Sequence, residues 1–556
     1  MVEAIRHAVH SSFRTIVQHA ILSSLLLLAA LLLLGFFLQT LSDQFQWPSY
    51  AAMCLFYAAM FYVGSRTGKS QENLNDEEEV EELILAGRSL PLGLALFTMT
   101  ATWVGGGFIN GTAEAVARDG LVWAQAPWGY ALSLIIGGIF FAKKMRLHSF
   151  STLLDPIADR FGKRMTALLY IPAMLGEVFW TGAVLTALGT TFGTILGIDF
   201  SLSIIISALI AITYTAIGGL RAVANTDVLQ LGILIVGLWI TIPFLLPQGM
   251  GLGDLYAKYS QGAGESASFF PPLMGWQDPH WGNSYFTWWD SALLLIFGGI
   301  PWHVYFQRVL SSKNAKVARW LSIGAGGLCI VAATPAVIIG MIGATTNWDA
   351  LHLAAPADMA VILPYVLQKL APPVIAIIGL GALASAVMSS ADSSILSASS
   401  LGAWNVYRPF FAENDHSKIP PVIKRSIWII GIAATIIALK VQSVYQLWFL
   451  CSDFVYCILF PQLLLALYDR KTNAIGSLAG FIVALVLRLG GGEPVLGIPH
   501  FLPYPMINAH DVVEFPFRTT AMLASLLTII VISRLTGRIS PPRPLAIREV
   551  SQREES

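Results

Sequence analysis

The sequence predicts an all-α polytopic membrane protein. Two sets of five helices repeat with opposite orientation, and extra flanking helices bring the total to about 13–14 spans. Three observations carry that prediction. The first is composition: 55% of the 556 residues are hydrophobic, 12% are charged and the mean hydropathy is +0.67, whereas a soluble domain carries about twice that charge. The second is the recurrence of apolar stretches of about 20 residues, the length that crosses a bilayer. The third is that two of these stretches are interrupted, at Gly105-Gly106-Gly107 and at Gly298-Gly299-Ile300-Pro301. Breaks in corresponding helices of two halves point to a central site, because freed backbone groups survive in hydrocarbon only where they have something to bind.

Taken in order, residues 1–45 form an extra N-terminal helix. Arg6 and Arg14 precede an extremely apolar run, Ile21 to Gln39, which reads as a signal sequence or a signal anchor. The length of its apolar core and the lack of a clean cleavage site favour a retained helix. Residues 46–90 hold a second span and an acidic stretch, Arg66–Gly87, with Asp76-Glu77-Glu78-Glu79, most simply a solvated loop. A first five-helix set occupies 91–246, with spans starting near Pro91, Trp123, Met165, Leu202 and Thr226. A polar loop, 247–287, separates it from the second set, 288–467, whose spans start near Trp288, Trp320, Pro373, Arg425 and Tyr445. Two further helices fill 468–535, and 536–556 is a short tail.

Lys and Arg orient these spans. The segments 143–164, 218–224, 308–319 (with Arg308), 404–425 and 470–471, and the tail from Arg534, are basic. On the alternating side Arg118, Lys258 and Lys369 stand almost alone. That bias places the basic loops and the C-terminus in the cytoplasm. Because five is odd, the second set is inverted relative to the first, which is the LeuT-type plan. The zero net charge says little about partners, nothing calls for nucleic acid, and oligomeric state stays open. All four cysteines lie in apolar runs, so small buried hydrophobes are expected rather than a disulfide framework.

The segment Gly381–Ser400 puts Ala386, Ser389, Ser390, Ser393 and Ser397 on one helix face. Such a stripe serves close helix packing or coordination of a hard cation by neutral oxygens. Beside the free carbonyls of Ala101 and Val104 at the first break, a sodium site is the favoured reading. Asp392 lies mid-segment and is a functional candidate, since intramembrane carboxylates are costly; satisfaction by nearby hydroxyls is the alternative. Asp227 reads equally as a functional acid or as dipole compensation in the first turn of a helix. Of 16 tryptophans, Trp47, Trp123, Trp281, Trp288 and Trp348 fall where interfacial belts are expected. Trp103 and Trp302 flank the two breaks, and Trp180 lies mid-span. Rings at the centre suit a quaternary ammonium, which has no N–H donors and is best held by aromatic faces; core packing is the alternative for each ring taken singly. No Walker, His-Glu-x-x-His or usable Gly-x-Ser-x-Gly motif is present, so enzyme chemistry and ATP-driven pumping are not expected.

Four stretches carry a resemblance: Thr-Met-Thr-Ala-Thr-Trp-Val-Gly-Gly-Gly, Gly-Gly-Leu-Arg-Ala-Val-Ala-Asn-Thr-Asp, Gly-Gly-Ile-Pro-Trp and Ser-Ser-Ala-Asp-Ser-Ser-Ile-Leu-Ser-Ala-Ser-Ser. They resemble the sodium/solute symporter family, and most closely its high-affinity choline transporter branch, from about Tyr50 to about Ser533. The resemblance implies sodium-coupled, chloride-dependent choline uptake across the plasma membrane by alternating access, at presynaptic terminals of cholinergic neurons if the source is an animal with a nervous system. It implies that Trp103, Tyr130, Trp180 and Trp302 box the ammonium. The carbonyls of Ala101, Val104 and Ala386, with the hydroxyls of Ser389 and Ser390, match the family's sodium site. Asp227 and Asp392 match positions tied to an additional sodium ion in some members. No chloride ligand is assigned. Three features depart from the family pattern: the extra helix before Ser49, the short tail, and His303 where Gln is expected. That imidazole is either packed or a pH-sensitive neighbour of the site. The alternatives are a symporter for another quaternary amine such as betaine, and a choline-binding membrane sensor that does not transport.

Overall fold

The computed structural model of the chain describes residues 20–40, 45–67, 75–412, 415–441, 444–493, 496–508 and 512–546. Arg6 and Arg14, part of the acidic stretch and the last ten residues of the tail lie outside them. Among the described residues the secondary structure is helical, with only isolated β-bridges. Ten helices among the described residues are long and apolar enough to cross a membrane, eleven with one bent pair.

The extra helix is α1 (Ala20–Gln39). It packs on α2 (Trp47–Thr67), where the buried Tyr50 hydroxyl donates to the Leu31 carbonyl at 2.5 Å. The first set follows: α3 (Leu92–Trp103) with α4 (Gly106–Arg118), α5 (Ala126–Ile136), α6 (Lys163–Leu196) and α7 (Phe200–Leu245). The second comprises α8 (Ser284–Gly298) with α9 (His303–Ser311), α10 (Ala315–Thr345), α11 (Pro373–Gly402), α12 (Ile419–Lys440) and α13 (Val444–Phe454), which continues through a π-helical turn to Tyr468. α14 (Ala474–Gly490) and α15 (Phe517–Leu535) form a C-terminal pair. Gly476 and Gly480 let this pair close, since a Cβ on either would meet Ser533 Oγ at 2.0 Å or Ile529 Cγ1 at 2.3 Å.

Several details differ from the sequence expectations. α7 holds two of the expected spans. They turn at Gly219, whose φ of 62° is open to glycine at little cost, and the helix resumes at once, without the expected loop to residue 224. The acidic stretch is not simply solvated. Asp76–Leu85 is a helix with an Asn75/Glu78 capping box, and its buried Glu82 pairs with Arg221 just past the Gly219 corner. Arg221 Nη2 also donates to the Ala86 carbonyl at 2.9 Å. Trp281 and Trp288 are buried rather than belted: Trp288 stacks on Trp128 at 5.6 Å and donates its indole N–H to the Val122 carbonyl at 2.8 Å.

α11 lies at the centre. Every residue from Ala382 to Leu401 is buried, as expected of a helix that presents small or apolar side chains all round. It touches α3, α4, α6, α7 and α9, so both breaks are packed against its hydroxyl-bearing length.

Candidate functional site

The first break is built by glycine. α3 ends at Trp103, Val104 has φ −87° and ψ 62°, Gly105 is extended, and α4 departs at 51°. A Cβ on Gly105 would lie 2.0 Å from Ser390 Oγ, and one on Gly106 would lie 2.5 Å from Val387 Cγ2. Only residues without a side chain let this backbone rest directly on α11. At the contact, Ser389 Oγ lies 2.9 Å from the Ala101 carbonyl and 3.0 Å from that of Ala386. Three of the five predicted sodium-ligand residues therefore converge through their oxygens. The Ser390 hydroxyl donates to the Thr102 carbonyl at 2.9 Å. Val104 is buried and its N–H closes on the Thr100 carbonyl at 2.8 Å.

The second break, Gly299–Trp302, separates α8 from α9. Trp302 donates its indole N–H to the Gly298 carbonyl at 2.7 Å, satisfying one of the groups freed at the end of α8. Its ring meets Trp180 edge-on, with centroids 5.4 Å apart. Trp180 meets Trp103 at 6.0 Å, and Trp103 meets Tyr130 at 5.8 Å. These four rings line one cavity with Trp448 and Cys451. Tyr130 lies 4.9 Å from Trp448, and its hydroxyl shares a 2.5 Å hydrogen bond with Ser452. The cavity encloses about 20 Å³, room for about one water, so the rings must separate to admit anything larger. Sequence reasoning missed Trp448: it falls close to where its span was expected to begin, and there a tryptophan reads as an interfacial anchor.

A second buried cluster joins α7, α9 and α11. Asp227 Oδ2 accepts from Thr98 Oγ1 at 2.5 Å and lies 3.7 Å from Arg308 Nη2. Arg308 Nη2 also donates to Ser393 Oγ at 2.5 Å, and Ser393 Oγ lies 3.5 Å from Asp392 Oδ1. Asp227, Asp392 and Arg308 are fully buried, while Asp227 Oδ1, Asp392 Oδ2 and Arg308 Nε have no hydrogen-bond partner. Nearby, Glu177 Oε1 accepts from Ser397 Oγ at 2.6 Å. Two expectations are corrected here. Arg308 belongs to no basic loop, because the second break leaves α9 a short half-helix that carries it inside. Asp227 is not in a first turn, because α7 resumes at Gly219, eight residues earlier, and the helix dipole acts only over a terminal turn.

His303 is buried at the start of α9 and does not line the aromatic cavity. Its Nδ1 accepts from the Leu153 N–H at 3.4 Å, and its Nε2 lies 3.3 Å from Ser400 Oγ. Both ring nitrogens are engaged as a neutral tautomer requires, which fits a packed imidazole.

Removing one partner from a buried charged pair costs about 3–5 kcal/mol, because the other charge is stranded. Arg308→Leu is therefore expected to lower the melting temperature of the purified protein by several degrees, and adding Asp227→Asn should recover part of the loss. An unchanged melting temperature in the single variant would remove Arg308 from its stabilising role.

The model of the sodium:solute symporter family matches residues 83–484 of the chain. The chain is 48% identical over 492 residues to the Drosophila melanogaster high-affinity choline transporter 1, covering 87% of this chain and 77% of that protein. It is 47% identical over 503 residues to the Homo sapiens high affinity choline transporter 1, covering 87% and 84%. Among solved structures, a Na+-coupled sialic acid symporter in a substrate-bound, outward-open state superposes with a TM-score of 0.73 at 19% identity, covering 90% of this chain and 99% of that one. That likeness shows the fold, the LeuT-type inverted repeat. With the family model matching most of its length, the chain belongs to the sodium:solute symporter family, and so among transporters rather than enzymes.

Proposed function

We propose that this symporter carries choline into the cell across the plasma membrane, coupled to sodium and dependent on chloride. The observation that carries the reading is the chemistry of the cavity lining: five aromatic rings and one thiol, with no charged side chain. Choline is a permanent cation without N–H donors. Each desolvated ring face contributes about 0.5–2 kcal/mol toward such a cation. Tyr130 is committed to Ser452 and Trp302 to Gly298; the Trp103 indole N–H is buried without a partner, but indole donors alone cannot match the many donors and acceptors of a sugar. A betaine would need a basic or amide partner for its carboxylate, and none lines the cavity. The relatives at 46–48% identity named as high-affinity choline transporters support the same choice.

In this reading the oxygens of Ala101, Val104, Ala386, Ser389 and Ser390 bind sodium between the first break and α11. Trp103 stands between Ala101 and Val104 in sequence, so the turn that supplies two sodium ligands also supplies a ring of the ammonium box. Filling one site fixes the other, and this is the proposed coupling. Asp227 and Asp392 form the candidate additional sodium site, where a second ion would meet the Arg308 guanidinium. Chloride dependence rests on the branch resemblance, and the cytoplasmic placing of the basic loops and tail rests on the positive-inside bias.

Labelled choline uptake into cells expressing the chain, with sodium or chloride replaced in turn, tests the reading. Saturable uptake lost on removal of either ion is expected. Surface-expressed protein that takes up betaine and not choline would sink the substrate assignment, and choline bound without accumulation would favour the sensor. Trp302→Ala should raise the half-saturation concentration for choline about fivefold or more, the loss of roughly 1 kcal/mol of ring contact, and unaltered affinity would take Trp302 out of the box. Ser390→Ala is expected to shift the sodium titration to higher concentration; a superimposable curve would return the hydroxyl to packing alone.

A further inference from the structure

The face that carries the basic loops holds a cavity of about 630 Å³ that shares no lining residue with the aromatic cavity. Its polar wall is cationic: Lys144, Arg160, Arg470 and Arg543, with His148 and Tyr468 beside them and no carboxylate among its lining residues. The charges are graded in depth. Arg160 is 5% exposed, Lys144 is half-buried, and Arg470 and Arg543 are exposed. What the inner two touch is neutral. Lys144 Nζ donates to the Leu467 carbonyl at 2.6 Å and lies 4.0 Å from the Tyr468 ring centroid. Arg160 Nε donates to the Ala466 carbonyl at 2.9 Å and its Nη1 to the Arg543 carbonyl at 2.6 Å.

The ordinary role of such contacts is to cap the carbonyl end of the helix Phe460–Tyr468, where cations are favoured. That role accounts for one bond from each of two side chains and leaves four full positive charges against partial ones. The neighbouring acids are already engaged. Asp469 pairs with Arg534 at 2.8 Å and accepts from the Lys471 N–H at 2.9 Å, and Asp159 accepts from the Ala546 N–H at 3.0 Å. Arg160 and Arg470 both act on Lys144 as like charges, whereas at Arg160 the charge of Arg470 is offset by Asp469 and Asp159. Lys144 thus meets only like charge across the cavity, and an anion placed there would relieve it.

The surroundings indicate where that anion comes from. Phe140 lies one helical turn before Lys144, and Phe140, Ile139 and Leu147 are exposed large hydrophobics on the same span. The Tyr468 hydroxyl donates to the Phe140 carbonyl, so the ring stands where the apolar shelf meets the basic wall. Cations above and acyl-facing side chains below match an anionic lipid better than a free ion, and basic pockets beside membrane helices are known to hold phosphorylated headgroups. We propose that this cavity binds the headgroup of a phosphate-bearing anionic membrane lipid, with Arg160 and Lys144 at its floor and Arg470 and Arg543 as the outer clamp. The site is independent of which solute the protein carries.

The test is native mass spectrometry of the full chain released from phosphatidylcholine nanodiscs doped with phosphatidylinositol bisphosphate, with phosphatidylserine as the comparator. Wild-type protein should retain the bisphosphate lipid over phosphatidylserine, and Arg470→Gln with Arg543→Gln should weaken retention about fivefold for each arginine removed. Arg538→Gln, on an exposed basic residue that does not line the cavity, should leave retention unchanged. Equal losses in that control would mean a diffuse surface effect and would overturn the site, as would retention that ignores the arginine pair. Soluble inositol trisphosphate is the second arm. If it displaces the lipid at equal concentration, the phosphate chemistry stands and the lipid source is overturned.

Discussion

A helix that unwinds inside a bilayer strands backbone carbonyls and amides where no water can meet them. Nearly everything distinctive in this protein follows from how that cost is offset at the first break. The hydroxyls of Ser389 and Ser390 reach the carbonyls of Ala101 and Thr102, and they reach because Gly105 and Gly106 have no Cβ to hold the chains apart. The break thus requires α11 to carry hydroxyls on one face, and it requires α11 to be buried from Ala382 to Leu401. The same approach fixes Trp103, the last residue of α3, against Trp180 and Tyr130.

A second constraint is charge. Asp227, Asp392 and Glu177 lie buried around Arg308, each within its electrostatic reach. Buried charges persist when they are paired and hydrogen-bonded, and here the pairing is incomplete: the Arg308–Asp227 contact is 3.7 Å, and an oxygen on each of the three acids has no hydrogen-bond partner. Such a cluster is held by the helices that carry it more than by its own bonds, and it links α6, α7, α9 and α11. Within the proposed cycle it gives the region beside the break an excess of acids, a setting that favours entry of a small cation.

Much of this was legible in the sequence, and the reasons are specific. Breaks advertise themselves: three glycines in an apolar span, or a Gly-Gly-Ile-Pro run, unwind a helix where unpaired backbone is costly. The hydroxyl stripe shows in the i, i+3, i+4 spacing of its serines. Arg308 was hidden by a counting habit: a basic residue near the end of an apolar run is assigned to the loop. Here the break takes up four residues, and the half-helix α9 then carries the arginine back into the core. Trp448 was hidden in the same way, by its nearness to an expected span end. Trp281 and Trp288 show the reverse error, for they sit at membrane-edge positions in sequence yet are buried in an aromatic cluster, Trp281 stacked on Trp123 and Trp288 on Trp128. The Asn75/Glu78 capping box was readable, but four consecutive acids suggest solvent before they suggest a helix. The Gly219 corner could not be placed, because Gly218 and Gly219 are adjacent and only the backbone shows which one turns.

The geometry also bears on why sodium and solute would move together. The predicted sodium ligands Ala101 and Val104 and the ring of Trp103 lie within four consecutive residues at the end of one helix. A rotation of that turn that draws the Ala101 carbonyl toward or away from Ser389 must swing the indole as well, since no flexible residue separates them before Gly105. The rings are close-packed, with centroids 4.9–6.0 Å apart between Trp302, Trp180, Trp103, Tyr130 and Trp448, so the indole cannot swing without pushing its neighbours. Trp302 passes that push to the Gly298 carbonyl and hence to the second break. The two breaks are therefore joined by a chain of side-chain contacts as well as by α11, and a two-site occupancy that locks one can be felt at the other without any long-range rearrangement of the helices between them.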